Sequence, residues 1–460
     1  MTTLQHILSI ANSGLQSSQT LVASASRNIA NANTPGYARE TVPLSAQLGG
    51  LGVVTGFPVA SRNALLEQGV VATAARLGFY QSQSNQLQSL EIAFNDLDGT
   101  GLGISMRGFE AAMSAVAANP ASMADRGQAL QSALSLATTF ASTRDTVSRT
   151  ASDAHEQASA VAQEINSLAQ QVAQLNGRIR SARPGEERNS LISQRAAVID
   201  AMSGSIGVDT VARSDGTVSL VTASGRALVE STFPATIAVT LSAPPASTVA
   251  VSFAQADGSY AASNAPLGGE LGGLVEFHNE VAAPALERID ELAYSFMDAF
   301  NQAHRAGFNL NGGTGYDFFE LPTTVTGAAS GMALSRDVDG HPENIGAAAD
   351  ASGVPGDNTN ALVLKGILGQ EGVLADGSSV IGAYETLGAS VSNTLVRAQS
   401  GASLEQGSLD QLQNLLASES GVSIDEELIR VTQANAALSA SNTILQQLQS
   451  MTDTILNMVG

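Results

Sequence analysis

The chain has 460 residues, with 42 acidic against 21 basic side chains, 4% aromatic residues, no tryptophan and no cysteine. Its length allows two or three domains, and a net charge of −21 sets aside nucleic acid and anionic membrane as partners, because both select basic surface. The missing cysteines exclude disulfides, thiolate metal sites and cysteine nucleophiles.

The opening residues Met1-Thr2-Thr3-Leu4-Gln5-His6 lack the basic start and unbroken apolar run of a cleaved secretory signal. No stretch approaches the roughly 18 apolar residues that span a bilayer. Leu4, Leu8, Ala11, Leu15, Ser18, Val22, Ala25 and Ile29 step by alternating fours and threes, a heptad seam on one side of a helix. Five large apolar side chains are too few to offset the entropy of ordering so long a segment. The seam therefore needs a partner, either the other end of the chain or other copies of it. The helix stops at Asn31-Ala32-Asn33-Thr34-Pro35-Gly36-Tyr37, where Pro35-Gly36 suits the centre of a type II turn. Residues 1–60 contain Arg27, Arg39 and Glu40 as their charged side chains, while the body beyond is strongly acidic.

Gly99-Thr100-Gly101-Leu102-Gly103 lacks the spacing of a phosphate-binding loop and reads as a linker. Ile165, Leu168, Val172, Leu175 and Ile179 form a stripe that Leu191, Val198 and Met202 continue after Arg183-Pro184-Gly185, predicting a helical hairpin. From Ile206 to about Ala262 the texture turns to short β-rich runs. Asp215-Gly216, Ser224-Gly225 and Asp257-Gly258 punctuate them as turns, and Pro244-Pro245 marks a break. Leu286, Ile289, Ala293, Phe296 and Phe300 make a further helical stripe, expected to pack on the hairpin. The loop Asn309 to Asp317 hints at calcium but offers a single carboxylate, so it reads as a turn. Residues 321–360 read as loops with a short strand near Met332-Leu334, and 361–415 as helix again.

The last segment mirrors the first. Val431, Ala434, Leu438, Ser441, Leu445, Leu448, Thr452, Ile455 and Val459 repeat the heptad, with Arg430 and Asp453 as the charges after residue 427. Ser423 and Glu426 have capping-box spacing, and Asp425, Glu426 and Glu427 suit a helix amino terminus. Burying an unpaired charge costs several kcal/mol, so segments destined for tight packing lose their charges. The outward faces of both terminal helices are likewise uncharged, which favours a seam completed by polymerisation over a closed two-helix pairing. His6, His155, His278, His304 and His341 form no close pair, and each reads as an exposed or satisfied side chain. No catalytic residue, cofactor or metal site is expected.

The run Ser26-Arg27-Asn28-Ile29-Ala30-Asn31-Ala32-Asn33-Thr34-Pro35-Gly36-Tyr37-Ala38-Arg39 resembles the signature that bacterial flagellar axial proteins carry after their first helix. Ser420-Gly421-Val422-Ser423-Ile424-Asp425-Glu426-Glu427-Leu428, Asn189 to Arg195, Phe300 to Phe308 with Asp317-Phe318-Phe319, and Gly356 to Leu362 narrow the resemblance to the hook-associated branch of that family. These matches span nearly the whole chain in the family's order. Between about 231 and 265, and again between about 321 and 355, the chain is shorter than many members.

The resemblance implies a mainly α fold with inserted β. Its long helical hairpin and coiled-coil bundle would be built from both termini, with a small antiparallel β domain between. Residues 1–62 would supply an axial-core helix and turn, 63–203 a helical bundle and hairpin, and 204–265 a small β-rich outer domain. Residues 266–320 would be a helical return, 321–360 a loop-rich outer segment, 361–422 further bundle, and 423–460 the second axial-core helix. The function implied is structural and non-enzymatic, joining hook to filament. The chain would leave the cell unfolded by flagellar type III export to an extracellular flagellum. Partners implied are copies of itself, the hook subunit, the second junction protein and an export chaperone, with no nucleic acid and no membrane. The expected assembly contacts are Leu4, Leu8, Leu15, Val22, Ile29, Asn31, Pro35, Gly36, Tyr37, Val431, Leu438, Leu445, Leu448 and Ile455. The alternative is an extracellular enzyme or adhesin carried on axial termini, for which Asp209, Asp215, Glu230 and Asp257 would have to flank a cleft.

Overall fold

A computed structural model describes residues 2–459 apart from 95, 97–100, 243–246, 255–258 and 263–265. Helix α1 (Thr2–Ala30) leads into an interrupted hairpin of β1 (Glu40–Thr41), β2 (Leu44–Ala46), β3 (Val53–Thr55) and β4 (Val59–Ala60). β2 pairs with β3 and β1 with β4, both antiparallel. This hairpin is a correction to the reading of 1–62 as helix and turn alone. Its strands are two or three residues long, below the length at which alternation becomes a signal.

Helix α2 (Ala64–Glu91) begins where Asn63 accepts the Leu65 and Leu66 amides. Helix α3 (Leu102–Ala118) follows, then α4 (Met123–Ser181), whose 59 residues reach about 88 Å. Ser122 caps α4 by accepting the Asp125 amide, and Arg178 and Arg180 complement its carboxyl end. After Arg183-Pro184-Gly185 the chain returns as α5 (Glu186–Ser203).

Four strands, β5 (Val208–Ala212), β6 (Val218–Thr222), β7 (Ala227–Glu230) and β8 (Phe233–Pro234), make one antiparallel sheet in chain order. Its turns hold Gly216 at φ +85° and Gly225 at φ +78°, where a side chain would be strained. A second sheet orders β9 (Ile237–Leu241), β10 (Val249–Ala254) and β11 (Tyr260–Ala262) with β10 central. Pro244-Pro245 and Asp257-Gly258 lie outside the described residues. Of the linker reading, Gly99 and Thr100 do too, while Leu102 and Gly103 open α3.

Helix α6 (Gly269–Glu276) passes through a π turn at Phe277–Ala282 into α7 (Ala283–Ala306). α8 (Thr359–Gly366) and α9 (Val380–Ser420) follow, and α10 (Ile424–Val459) completes the order. The reading of 361–415 as helix is corrected for the stretch between α8 and α9. There Gly372 and Gly377 take positive φ, and Arg288 of α7 holds Asp376 at 2.6 Å. Of the expected strand at Met332-Leu334, the structure keeps a single bridge, Leu334 to Phe319.

α9 lies along α2, and α7 packs on α4. At the centre Phe109, Phe296, Phe300, Phe318 and Phe319 are each at most 1% exposed. Their rings meet edge-on or tilted, with centroids as close as 4.8 Å. Although aromatics are scarce, five converge here because the α7 stripe and the Phe318-Phe319 loop face the same side of α3.

Helices grip extended segments through asparagine. Asn166 accepts the Ile237 amide and donates to the Ile237 carbonyl, at 2.8 and 2.9 Å. Asn176 does the same to Val218 at 3.1 and 2.8 Å, Asn279 to Val249 at 2.7 and 2.8 Å, and Asn301 to Phe319 at 2.8 Å for both. A carboxamide carries a donor and an acceptor spaced like a peptide, so each acts as one residue of an added strand. Asn176 is fully buried and also accepts from Arg195 at 2.9 Å. Asn176→Ala should therefore cost about 1–3 kcal/mol, because it strands buried backbone groups of Val218. A urea unfolding curve checks it, and an unchanged midpoint would refute the role.

Candidate assembly interface

α1 and α10 run antiparallel against each other. A Cβ on Gly14 would sit 3.1 Å from the Ser441 hydroxyl, while at the far end Arg39 meets Glu426 and Glu427. The heptad positions face this contact. Ala11, Ser18 and Ala25 of α1 are buried, as are Ala434 and Leu448 of α10. Leu4, Leu15, Val22 and Ile29 are half-buried, and so are Val431, Leu438, Ser441 and Leu445. Small residues at the buried steps let the two backbones come close.

The seam opens toward its free end. Leu8 is 42% exposed and Ile455 52%, so these two expected contact residues are not covered within one chain, and Thr452 of the same stripe is exposed as well. Val459 lies at a position whose side chain is outside the description. The unused sides of both helices also carry apolar residues, among them Ile7, Ile10, Ile444 and Met451.

The signature turn locks onto the body. Tyr37 N–H donates to the Thr34 carbonyl and Gly36 has φ +73°, so Thr34-Pro35-Gly36-Tyr37 closes as a type II turn. A Cβ on Gly36 would lie 2.6 Å from the Ser193 carbonyl of α5, so the turn needs glycine twice over. Arg62 donates to the Gly36 carbonyl at 2.6 Å and to the Ser193 hydroxyl at 3.1 Å. Asn31 reaches back to the Arg27 carbonyl, and Pro35 is exposed.

Asn28 was not among the expected contacts, yet it organises the turn. It is fully buried, accepts the Glu40 amide and donates to the Glu40 carbonyl, both at 2.9 Å. The Tyr37 hydroxyl donates to its carboxamide oxygen at 2.8 Å. Burial, with Glu40 close by, pushes the Tyr37 phenol up to about 12, so it stays a donor.

Two ionic joints hold the terminal pair, one to α5 through Glu186 and Asn189 and one between α10 and the segment after α1. Glu40, 5% exposed, takes Arg27 at 3.2 Å and Asn189 at 3.0 Å, and Arg27 also reaches Glu186 at 2.6 Å. Arg39 holds Glu427 and Glu426, each at 2.9 Å, while its amide donates to the Ser420 carbonyl at 3.0 Å. Glu427 is 1% exposed and also meets Arg430 at 3.3 Å. This corrects the reading of the acidic triplet as helix capping alone. The Glu426 carboxylate, expected to reach back in a capping box, is spent on Arg39, although Ser423 does accept the Glu426 amide at 3.5 Å. Glu427→Gln should loosen the first turns of α10 by about 1–3 kcal/mol, since it trades a charge-assisted bond for a neutral one. Faster hydrogen exchange at 424–430 is the readout, and unchanged exchange would count against the joint.

Several of the residues that could carry other chemistry have structural partners, but the reading of every histidine as exposed or satisfied is corrected at His155, half-buried with its Nδ1 unbonded among the described residues, and Asp209 is exposed. Glu230 pairs with Arg213, Asp215 accepts from Thr217 in its turn, and Asn309 holds the Asn311 and Gly313 amides of the 309–317 loop. Asp257 lies outside the described residues. His304 is bonded at both ring nitrogens and His341 faces Glu343. Among the described residues no group of three or more His, Cys, Asp or Glu side chains could hold a metal, and no helix is long and apolar enough to cross a membrane.

A family model described as the helical domain of flagellar hook-associated protein FlgK matches residues 87–319. The chain is 24% identical over 508 aligned positions to flagellar hook-associated protein 1 of Bacillus subtilis (strain 168), with 98% of each covered. It is 28% identical over 335 positions to flagellar hook-associated protein 1 of Escherichia coli (strain K12), covering 69% of this chain and 60% of that relative. The solved structure of the flagellar hook junction protein FlgK from Burkholderia pseudomallei is similar with a TM-score of 0.65, at 15% identity, covering 77% of this chain and 99% of that one. At that identity the likeness concerns the fold.

Proposed function

Because the chain belongs to the flagellar hook-associated protein family, we propose that it is a structural subunit of the bacterial flagellum, joining hook to filament. The α1/α10 pair is its assembly element, and copies pack side by side through these helices to build the inner wall of the junction. The helical body forms the next layer, and the acidic sheets face water. Below it the natural partner is the hook subunit and above it the second junction protein. Export proceeds as an unfolded chain guarded by a chaperone. The work is mechanical, with no chemical step.

The observation that carries this reading is the half-closed seam. The two terminal helices satisfy each other along one stripe and leave Leu8, Ile444, Met451 and Ile455 open on surfaces almost without charge. Apolar side chains presented that way gain from neighbours of the same kind. Labelling the protein in isolated flagella should mark the hook–filament boundary, and deleting residues 2–30 or 424–459 should leave cells without attached filaments. Motile cells with whole flagella after either deletion would end the proposal.

A further inference from the structure

The β2–β3 hairpin lies along α1, fixed by hydroxyl contacts. Ser9 donates to the Leu51 carbonyl at 3.2 Å, Ser13 accepts the Val53 amide at 3.1 Å, and Ser17 meets Thr55 at 2.9 Å. Between the two elements runs an open trough of about 860 Å³. Its walls are amide and hydroxyl side chains such as Gln16, Gln19 and Gln47, with Leu8, Val53 and Val54 as the apolar part. Among the described residues, none of those lining it is ionisable and none belongs to α10.

A helix that filled this trough with a charged face would bury charge opposite nothing of opposite sign. α2, α4 and α9 all carry exposed ions, Arg76, Arg149 and Arg397 among them. Beyond Arg430, α10 contains Asp453 as its single charged residue. It also keeps apolar residues that α1 leaves uncovered, Ile444 and Met451 on its unused side and Ile455 at the open end of the seam, 43%, 59% and 52% exposed. Their spacing of seven and four places them on one side over about 16 Å. The trough offers Leu8 and Val54, 42% and 47% exposed, as counterparts.

We propose that the trough receives the carboxyl-terminal half of α10, residues 439–459, from a second copy of the chain. The inference rests on the assembly reading and names the contact which that reading leaves unspecified. Amide and hydroxyl side chains on both surfaces exchange hydrogen bonds around the apolar row, and each copy offers one trough and one row. Such a contact is heterologous and propagates from subunit to subunit instead of closing as a dimer.

The absence of native cysteine makes the contact open to cross-linking. Val54→Cys and Met451→Cys variants should be expressed together in cells, and their flagella isolated and oxidised. A disulfide-linked dimer is expected with both variants present and not with either alone. A second pair, Gln47→Cys with Ile455→Cys, guards against one substitution spoiling the fit. Flagella that contain both members of a pair and yield no mixed dimer would overturn the proposal. So would preferential linkage of Val54→Cys to Ile7→Cys, which would put α1 in the trough. Absence of the unmodified chain from flagella would instead sink the assembly reading itself, a result distinct from a missing cross-link in flagella that contain the protein.

Discussion

Replacing Leu448 with aspartate should abolish incorporation into flagella and motility while leaving the body of the protein folded. Leu448 is 6% exposed on the α10 stripe that faces α1. A carboxylate there would be buried with no cation to meet it, because the nearest arginine along α10 is Arg430, five turns away. The penalty is several kcal/mol, comparable with everything a stripe so thin supplies, so the pair would come apart. Among the described residues, the main buried cluster, running from Val71 to Ala398, includes none of either terminal helix. Distant, unconnected sites act independently, so the body's unfolding transition should be unchanged by circular dichroism. Variant cells should fail to spread in soft agar and should shed filament protein into the medium. Swimming cells with full-length filaments would show that the α1/α10 seam plays no part in assembly.

The seam was legible because its signal is local. A side chain at 4-3 spacing points the same way whatever surrounds the helix, so Val431, Leu438, Leu445 and Leu448 could be placed on the contact side without knowing what they touch. The Thr34–Tyr37 turn was legible for a similar reason, since Pro35-Gly36 dictates its own backbone. What stayed hidden depends on residues far apart in sequence. Asn28 and Asn176 are ordinary polar letters until the segments at Glu40 and Val218 fold back on them, and nothing nearby announces the match. Glu427 was hidden behind a better-known role: an acid in a first helical turn has a sufficient local explanation, and its partner Arg39 lies almost the whole chain away. The β2–β3 hairpin escaped because its strands are too short to show alternation, and with it went the trough on which the inter-subunit contact is built.

The same contrast between rods and body runs through the energetics. The terminal helices are joined to the body through the Arg27–Glu186 pair, the Asn189–Glu40 and Arg39–Ser420 hydrogen bonds and the Gly36 turn, and among the described residues neither helix shares the main apolar core. A subunit built this way can hold its body rigid while the rods adjust to their neighbours, which suits a part fitted between two unlike structures.

The body should nevertheless lose stability in mild acid, through one histidine. His304, 1% exposed at the end of α7, donates from Nδ1 to the Tyr316 carbonyl at 2.7 Å, and its Nε2 accepts the Gly346 amide at 3.0 Å. Protonation would set an N–H against an N–H and break the second bond. Burial therefore lowers the imidazole from 6.5 to about 4, with Arg126 nearby adding to the effect and the Tyr316 carbonyl, Asp317 and Asp337 opposing it. In the unfolded chain the ring takes its proton near 6.5. Between those values the unfolded state holds a proton that the folded state lacks, so stability is full above about pH 6.5 and falls as pH drops toward 4. The loss amounts to about 3 kcal/mol across the window, and it acts on the α7 end, the 307–317 loop and the strand-like segment near Ala348 together. Urea midpoints at pH 7 and pH 4.5 should separate more for the natural chain than for His304→Gln, which cannot titrate. Equal separations in the two proteins would place the acid sensitivity elsewhere.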